Sequence, residues 1–287
     1  MAYSAEISRG APAAFVFLLD QSASMQDRFG GSKERGDAAP SKARALADTV
    51  NRLLQNLVLR CAKEDGVRDY FHVGVIGYGD RVRALIEPAD GFETPAGLVP
   101  ISHLAERPLR LETRLKRVPD GQGGFAETRT RAPIWFEPHA VNGTPMCAAL
   151  DLATQLVRRW TDAFPASFPP VVVNVTDGEA TDGDPLRYAQ TLRSYGTADG
   201  EALLFNVHLS DADAPPLSFP SDVAELPRDP NARALFEMSS ALPFSMRAAA
   251  EGEGLRVTLD TRGFVYNADP AALVRLLEIG TRPSNLR

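Results

Sequence analysis

Asp20, Ser22 and Ser24 stand at alternate positions where the apolar run AFVFLLD opens into DQSAS, and Asp177 closes a second apolar run, VVVNVTD. Carboxylate and hydroxyl oxygens are hard donors, suited to Mg²⁺, Mn²⁺ or Ca²⁺ rather than to zinc. In a loop turning over a strand end, both serine hydroxyls can point the same way as the Asp20 carboxylate, and they add ligation without adding charge. If the two aspartates share one crevice, they repel and desolvate each other unless a cation joins them. A plainer reading stands beside this one. Asp177-Gly178 also spells a turn, Ser22 and Ser24 can satisfy loop amides, and Thr144-Pro145 reads as a helix N-cap with proline in the first turn.

Whether these residues meet depends on the elements that carry them. The run 14–20 lacks alternation, as expected of a strand covered on both faces of a parallel sheet. From Ser41, the residues Leu46, Val50, Leu53, Leu54, Leu57, Val58 and Cys61 recur at spacings of three and four, which predicts an amphipathic helix to about residue 64. The stretch YFHVGVIGYGDRVRALIEP predicts strands over 70–78 and 82–87 around Gly79-Asp80, with a type II′ turn and an antiparallel edge. Then come a helix over 144–161, a strand over 171–177, a helix over 184–195, strands over 202–210 and 263–267, and a closing helix over 269–280 with Asp269 as cap and Pro270 in its first turn. The predicted class is α/β: a doubly wound, mostly parallel six-stranded sheet with helices on both faces. In the order 3-2-1-4-5-6, with the third strand antiparallel at the edge, the strands ending at Asp20 and Asp177 are neighbours at the reversal, where such sheets open a ligand crevice.

The 287 residues suit one elaborated domain spanning 1–287. Two segments exceed ordinary connections: 88–140, where LRLETRLKRV and FAETRTRAPIWF flank the turn-rich PDGQGG and predict a projecting β-hairpin, and 211–262, Pro-rich, with loops and helical turns near 231–251. Hydrophobic residues at 44% and charged residues at 24% exclude wholesale disorder. A net charge of −6 argues against a nonspecific grip on nucleic acid or anionic lipid. The N-terminus MAYSAEISRG lacks the charged and apolar regions of a leader, and no run is long enough to span a bilayer, so a cytoplasmic location is expected.

Other signals are weaker. Cys61 and Cys147 fall inside helical patterns and read as buried thiols. His72, His103, His139 and His208 share no spacing that supports zinc or a Ser-His-Asp triad. Arg35-Gly36-Asp37 is a chance tripeptide, and GGSKERG lacks the spacing of a phosphate loop, leaving Lys33 a solvated charge. Arg107, Arg110, Arg114, Lys116, Arg117, Arg129 and Arg131 give the hairpin a local positive surplus, read as a solvated face.

Asp20-Gln21-Ser22-Ala23-Ser24, Gly143-Thr144-Pro145 and Thr176-Asp177-Gly178 together resemble the metal-ion-dependent adhesion site of von Willebrand factor A domains. The resemblance covers most of the chain. It implies Ser22, Ser24 and Thr144 as direct ligands, and Asp20 and Asp177 as ligands bound directly or through water, around a divalent cation, Mg²⁺ foremost. Glu179 has no such role. An open position on the ion would take an Asp or Glu from a protein partner, which makes the chain a binding module rather than an enzyme. GFVYNADPAALVRLLEIGTR and SSALP resemble intracellular bacterial members encoded beside kinases and phosphatases in tellurium-resistance stress operons, implying such a partner. Two alternatives compete. A Mg²⁺-dependent phosphohydrolase would use Asp20 as nucleophile, although Ser22 replaces the usual second acid and no lysine follows residue 116. A substrate-recruiting subunit of an ATP-driven machine would depend on separate chains.

Overall fold

The computed structural model describes residues 3–29, 39–88, 92–119, 125–209 and 215–280. Arg35-Gly36-Asp37, Lys33 and the hairpin turn at 120–124 lie outside the described residues. In chain order the main elements are β1 (Ala13–Asp20), α1 (Lys42–Cys61), β2 (Phe71–Tyr78), β3 (Val82–Ala84), β4 (Val99–Pro100), α2 (Ile101–Glu106), β5 (Arg110–Pro119) and β6 (Phe125–Ile134). There follow α3 (Met146–Ala163), β7 (Val171–Thr176), α4 (Pro185–Arg193), β8 (Leu203–His208), β9 (Leu217–Ser218), α5 (Pro230–Met238), α6 (Phe244–Gly252), β10 (Phe264–Tyr266) and α7 (Pro270–Gly280).

The sheet runs β9-β10-β8-β7-β1-β2-β3, with β4 beside the start of β2. Strands β2, β1, β7, β8 and β10 are parallel, while β3, β4 and β9 are antiparallel to their neighbours. This is the doubly wound α/β class, and the six expected strands stand in the order 3-2-1-4-5-6. The two additional strands, β4 and β9, are two-residue pairings contributed by the long connections.

Alternate residues of β1 divide the core. Phe15, Phe17 and Leu19 pack with α1, α6 and α7 on one face, and Val16 and Leu18 pack with α3, α4 and α5 on the other. Burial on both faces is why the strand reads as one unbroken apolar run. The segment 211–262 holds two regular helices rather than isolated turns. Leu235 and Phe236 of α5 enter one core, and Met246 and Ala250 of α6 enter the other.

Two local expectations give way. The strand expected over 82–87 is regular only over Val82–Ala84, with one further bond from Leu85 N–H to Val75 O (2.7 Å), and Tyr78 opposite Val82 leaves a three-residue turn. Gly79 does not have the positive φ that a type II′ turn requires at its first position. Its glycine answers a close approach instead, since a Cβ there would meet the carbonyl oxygen of Gln21 at 2.6 Å.

Candidate metal centre

The end of β1 brings Asp20 into the crevice almost fully buried. Its Oδ1 accepts from the Ser22 backbone N–H (2.7 Å) and its Oδ2 from the hydroxyl of Thr176 (2.6 Å), the last residue of the neighbouring β7. Ser22 Oγ and Ser24 Oγ lie 3.0 Å apart, and Ser24 Oγ donates to Asp177 Oδ1 at 2.7 Å. Four of the five predicted residues are therefore joined by one run of short contacts across the β1/β7 boundary.

The loop that does this is held at both ends of Gln21. Its N–H donates to Tyr78 O and its C=O accepts from Val141 N–H, each at 2.7 Å. The second bond ties the D-x-S-x-S loop to the segment leading into Thr144. Gly143, in the left-handed region at φ 89°, packs so closely that a Cβ would lie 3.1 Å from Gly79 O.

Thr144 is buried beside this loop but is placed by its backbone, donating from N–H to Thr181 Oγ1 (3.1 Å) and accepting at C=O from Thr181 N–H (3.0 Å). The N-cap reading fails here, because α3 begins at Met146 after Pro145, without a local side-chain cap. Asp182 takes that role from a distant loop, its two oxygens accepting from Cys147 N–H (3.0 Å) and Ala148 N–H (2.9 Å). Satisfying the helix end from elsewhere leaves the Thr144 hydroxyl without that duty.

Sequence reasoning missed Lys42. Its Nζ stands 3.0 Å from Asp177 Oδ2, with both side chains nearly inaccessible. No linear pattern separates a lysine in a helix's first turn that folds into a crevice from one that stays in water. A clearer signal was available for the polar layer below the site. Asn174 and Asn206 interrupt two apolar runs at paired positions of β7 and β8. Tyr78 Oη donates to Asn174 Oδ1 (2.7 Å), Asn174 Nδ2 to Asn206 Oδ1 (3.0 Å), and Asn206 Nδ2 to Ser239 Oγ (2.9 Å). A buried polar chain of this kind fixes strand register beneath the crevice.

Burial raises the Asp20 carboxyl above its ordinary pKa, against the lowering effect of the Thr176 and Ser22 hydrogen bonds, and the nearby Asp177 adds to the rise. Burial, with Asp20 second, pushes the Tyr78 phenol well above its usual value. A positive charge in the crevice would relieve both. Among the described residues no group of three His, Cys, Asp or Glu could hold a metal, so any ion here depends on hydroxyl oxygens beside the two carboxylates. That donor set fits a hard divalent cation. Counted formally, two carboxylates and the Lys42 ammonium leave one net negative charge, which a divalent ion converts to one net positive charge.

Three of the four histidines have packing roles. His72 Nδ1 accepts from Trp160 Nε1 (3.1 Å), His103 stacks on Phe92, and His208 stacks on Tyr266. Burial pushes both thiols up to about 12, which disfavours the thiolate form. Glu179 is exposed.

No protein-family model matches the sequence, and no curated protein matches it. Several solved structures do. One is proximal thread matrix protein 1 from the mussel byssus with a zinc-occupied MIDAS motif, at 14% identity over 71% of this chain and 37% of that chain, with a TM-score of 0.37. A second is a von Willebrand factor type A structure from Catenulispora acidiphila, at 15% identity over 70% of this chain and 34% of that chain, with a TM-score of 0.36. A third is the ArnB paralog VWA2 from Sulfolobus acidocaldarius, at 14% identity over 93% of this chain and 45% of that chain, with a TM-score of 0.40. This chain spans less than half the length of each of those chains. At such identities and TM-scores the likeness assigns no role to any residue. Among the described residues no helix is long and apolar enough to cross a membrane.

Proposed function

We propose that this chain is a metal-dependent protein-binding module of the von Willebrand factor A type. The observation that carries this reading is the run Asp20–Ser22–Ser24–Asp177, which gathers two carboxylates and two hydroxyls from neighbouring strand ends at the sheet's topological reversal. Asp20, Ser22, Ser24, Asp177 and the adjacent Thr144 would hold the ion, Mg²⁺ by preference and Mn²⁺ or Ca²⁺ next. When bound, the ion supplies an electrophilic position able to take a carboxylate oxygen from a partner. The chain's own part is to pre-position oxygens and, through Lys42, to leave the loaded site with a net positive charge. A partner offering Asp or Glu is then attracted, and one belonging to a kinase or phosphatase stress-response system agrees with the sequence resemblance.

Isothermal titration with Mg²⁺, on wild type, Asp20→Ala and Thr144→Ala, tests the site. Saturable binding in the wild type that both substitutions abolish or weaken supports the proposal. Absence of wild-type binding at millimolar Mg²⁺ rejects it.

A second reading, the phosphohydrolase with Asp20 as nucleophile, gains one observation. A lysine does stand in the crevice, contributed by α1 rather than by the C-terminal half of the chain. Against it, both Asp20 oxygens already accept short hydrogen bonds in a buried position. Phosphatase turnover lost in Asp20→Asn, and persisting in Ser24→Ala, would favour it.

A further inference from the structure

The hairpin β5–β6 keeps Arg107, Arg110, Arg129 and Arg131 exposed, as a solvated basic face requires, but ties Arg114 to the protein body. Arg110, Glu112 and Arg114 share one face, on which Glu112 and Arg114 are half-buried near α1 and Arg110 stays exposed. Arg114 Nη2 pairs with Asp48 of α1 at 2.9 Å, Arg114 Nε with Glu112 at 2.7 Å, and Arg110 Nε with Glu137 at 2.6 Å. Alternation then sends Leu109, Leu111 and Leu115 outward, at 63%, 55% and 63% exposure. Three leucines this exposed on one hairpin face are poorly explained by solubility, and exposed apolar patches mark interaction sites.

The same outer face carries Arg129 and Arg131, which stand opposite Leu115 and Thr113 in the antiparallel register. Both are exposed, and among the described residues neither guanidinium has an ion-pair partner. The face presents three exposed leucines beside Thr113, with the exposed Arg129 and Arg131 on the paired strand.

At its base the hairpin is anchored by hydrogen bonds. Asn51 of α1, buried, accepts from Trp135 N–H (2.8 Å) and donates to Phe136 O (3.0 Å), and Trp135 Nε1 donates to Leu104 O (2.7 Å). There a cleft of about 500 Å³ counts Leu109, Gln21, Leu85, Trp135 and His139 among its lining residues. Gln21 belongs to the loop that carries Ser22 and Ser24, so the cleft borders that loop at one residue and the first of the exposed leucines at another.

We infer that the surface running from Gln21 through this cleft onto the Leu109–Leu111–Leu115 face, flanked by Arg129 and Arg131, docks an acidic, aliphatic segment of a protein partner. The inference deepens the proposed function: the same partner places one carboxylate at the cation and lays leucine-like side chains along the hairpin. The aliphatic part follows from the leucines, and the acidic part from charge complementarity to the two arginines.

A random peptide display library panned on the full chain in Mg²⁺ supplies the probe, and affinities of enriched peptides are then measured by fluorescence anisotropy. Enriched sequences are expected to combine Asp or Glu with Leu, Ile or Val. Their binding should weaken about tenfold or more in Leu111→Ser/Leu115→Ser and, separately, in Arg129→Glu/Arg131→Glu, whose exposed positions leave the fold intact. Peptides that require Asp20 and Mg²⁺ but ignore both hairpin variants would overturn the docking surface and leave the cation reading standing. Peptides that require the hairpin but ignore EDTA and Asp20→Ala would support the surface while removing the cation reading. Enrichment of basic peptides, or sedimentation showing a dimer that Leu111→Ser dissociates, would overturn the inferred occupant.

Discussion

Lys42 Nζ lies 3.0 Å from Asp177 Oδ2, and the two side chains form a nearly inaccessible ion pair at the mouth of the sheet reversal. A lysine in this place acts in two opposed ways. It competes electrostatically with any cation that Asp177 would bind, and it raises the net charge of the loaded site, which favours a partner's carboxylate.

Lys42→Met separates those effects because it keeps the aliphatic stem and removes the charge. Affinity for Mg²⁺ is expected to rise, on the order of tenfold, from the loss of one nearby like charge in a partly desolvated site. Metal-dependent affinity for an acidic peptide is expected to fall. Titration calorimetry with Mg²⁺ alone checks the first sign, and peptide anisotropy at saturating Mg²⁺ checks the second. A drop in Mg²⁺ affinity would instead make Lys42 a support that orients Asp177.

Asp182 reaches back to hold the first amides of α3, and its backbone neighbour Thr181 fixes Thr144. Asp182→Ala removes a bidentate cap, and loss of a capping side chain costs about 1–2 kcal/mol. The expected result is a lower urea midpoint at unchanged slope, together with weaker Mg²⁺ binding as Thr144 loses its fixed position. Thr181→Ala should reproduce the binding loss with a smaller stability cost. Full Mg²⁺ affinity in both variants would mean that Thr144 is not a ligand.

What could be read from the chain follows from how each feature is encoded. Strands β1, β7 and β8 were legible because burial on both faces forces apolar runs, unbroken in β1 and interrupted by one asparagine in each of β7 and β8, and Asp20 and Asp177 were legible because the runs of β1 and β7 lead to carboxylates. The hairpin was legible from alternation around PDGQGG, yet its orientation was not, since alternation says which residues share a face and not which face turns inward. Thr144-Pro145 fits a cap in isolation. Asp182, 35 residues further on in sequence from Cys147, outcompetes it only in three dimensions. Lys42 was invisible for the same reason: its partner Asp177 is 135 residues away.

His72, in β2, is held neutral. Burial lowers its pKa from 6.5 to about 4, and Trp160 donates to its Nδ1, an arrangement that protonation destroys. Between those two values the unfolded chain binds a proton that the folded chain excludes. Stability therefore falls as pH drops below 6.5, by up to roughly 1.4 kcal/mol per pH unit. His208, also lowered by burial, acts in the same direction. His72→Gln keeps an acceptor for Trp160 and cannot titrate, so urea midpoints at pH 7 and pH 5 should differ less than in the wild type. An equal acid loss in the variant would move the effect to other groups.

Gly79 tests whether the geometry of the crevice rests on close backbone packing. A Cβ at this position would meet Gln21 O at 2.6 Å and Gln21 C at 3.1 Å, both backbone atoms of the loop that carries Ser22 and Ser24. Neither can yield without moving that loop, whose hydrogen bonds to Tyr78 and Val141 hold it from both sides. Gly79→Ala is therefore expected to cost about 1–3 kcal/mol, as overpacking does, and to weaken Mg²⁺ binding several-fold. Gly178 is the internal control. It follows Asp177 directly, but a Cβ there meets nothing within 4 Å and its φ is not in the left-handed region. Gly178→Ala should leave both stability and Mg²⁺ affinity close to wild type in paired denaturation and calorimetry. If the two alanines weaken the ion equally, loop placement by Gly79 is not what organises the serines, and their position must come from the contacts to Asp20 and Asp177 alone.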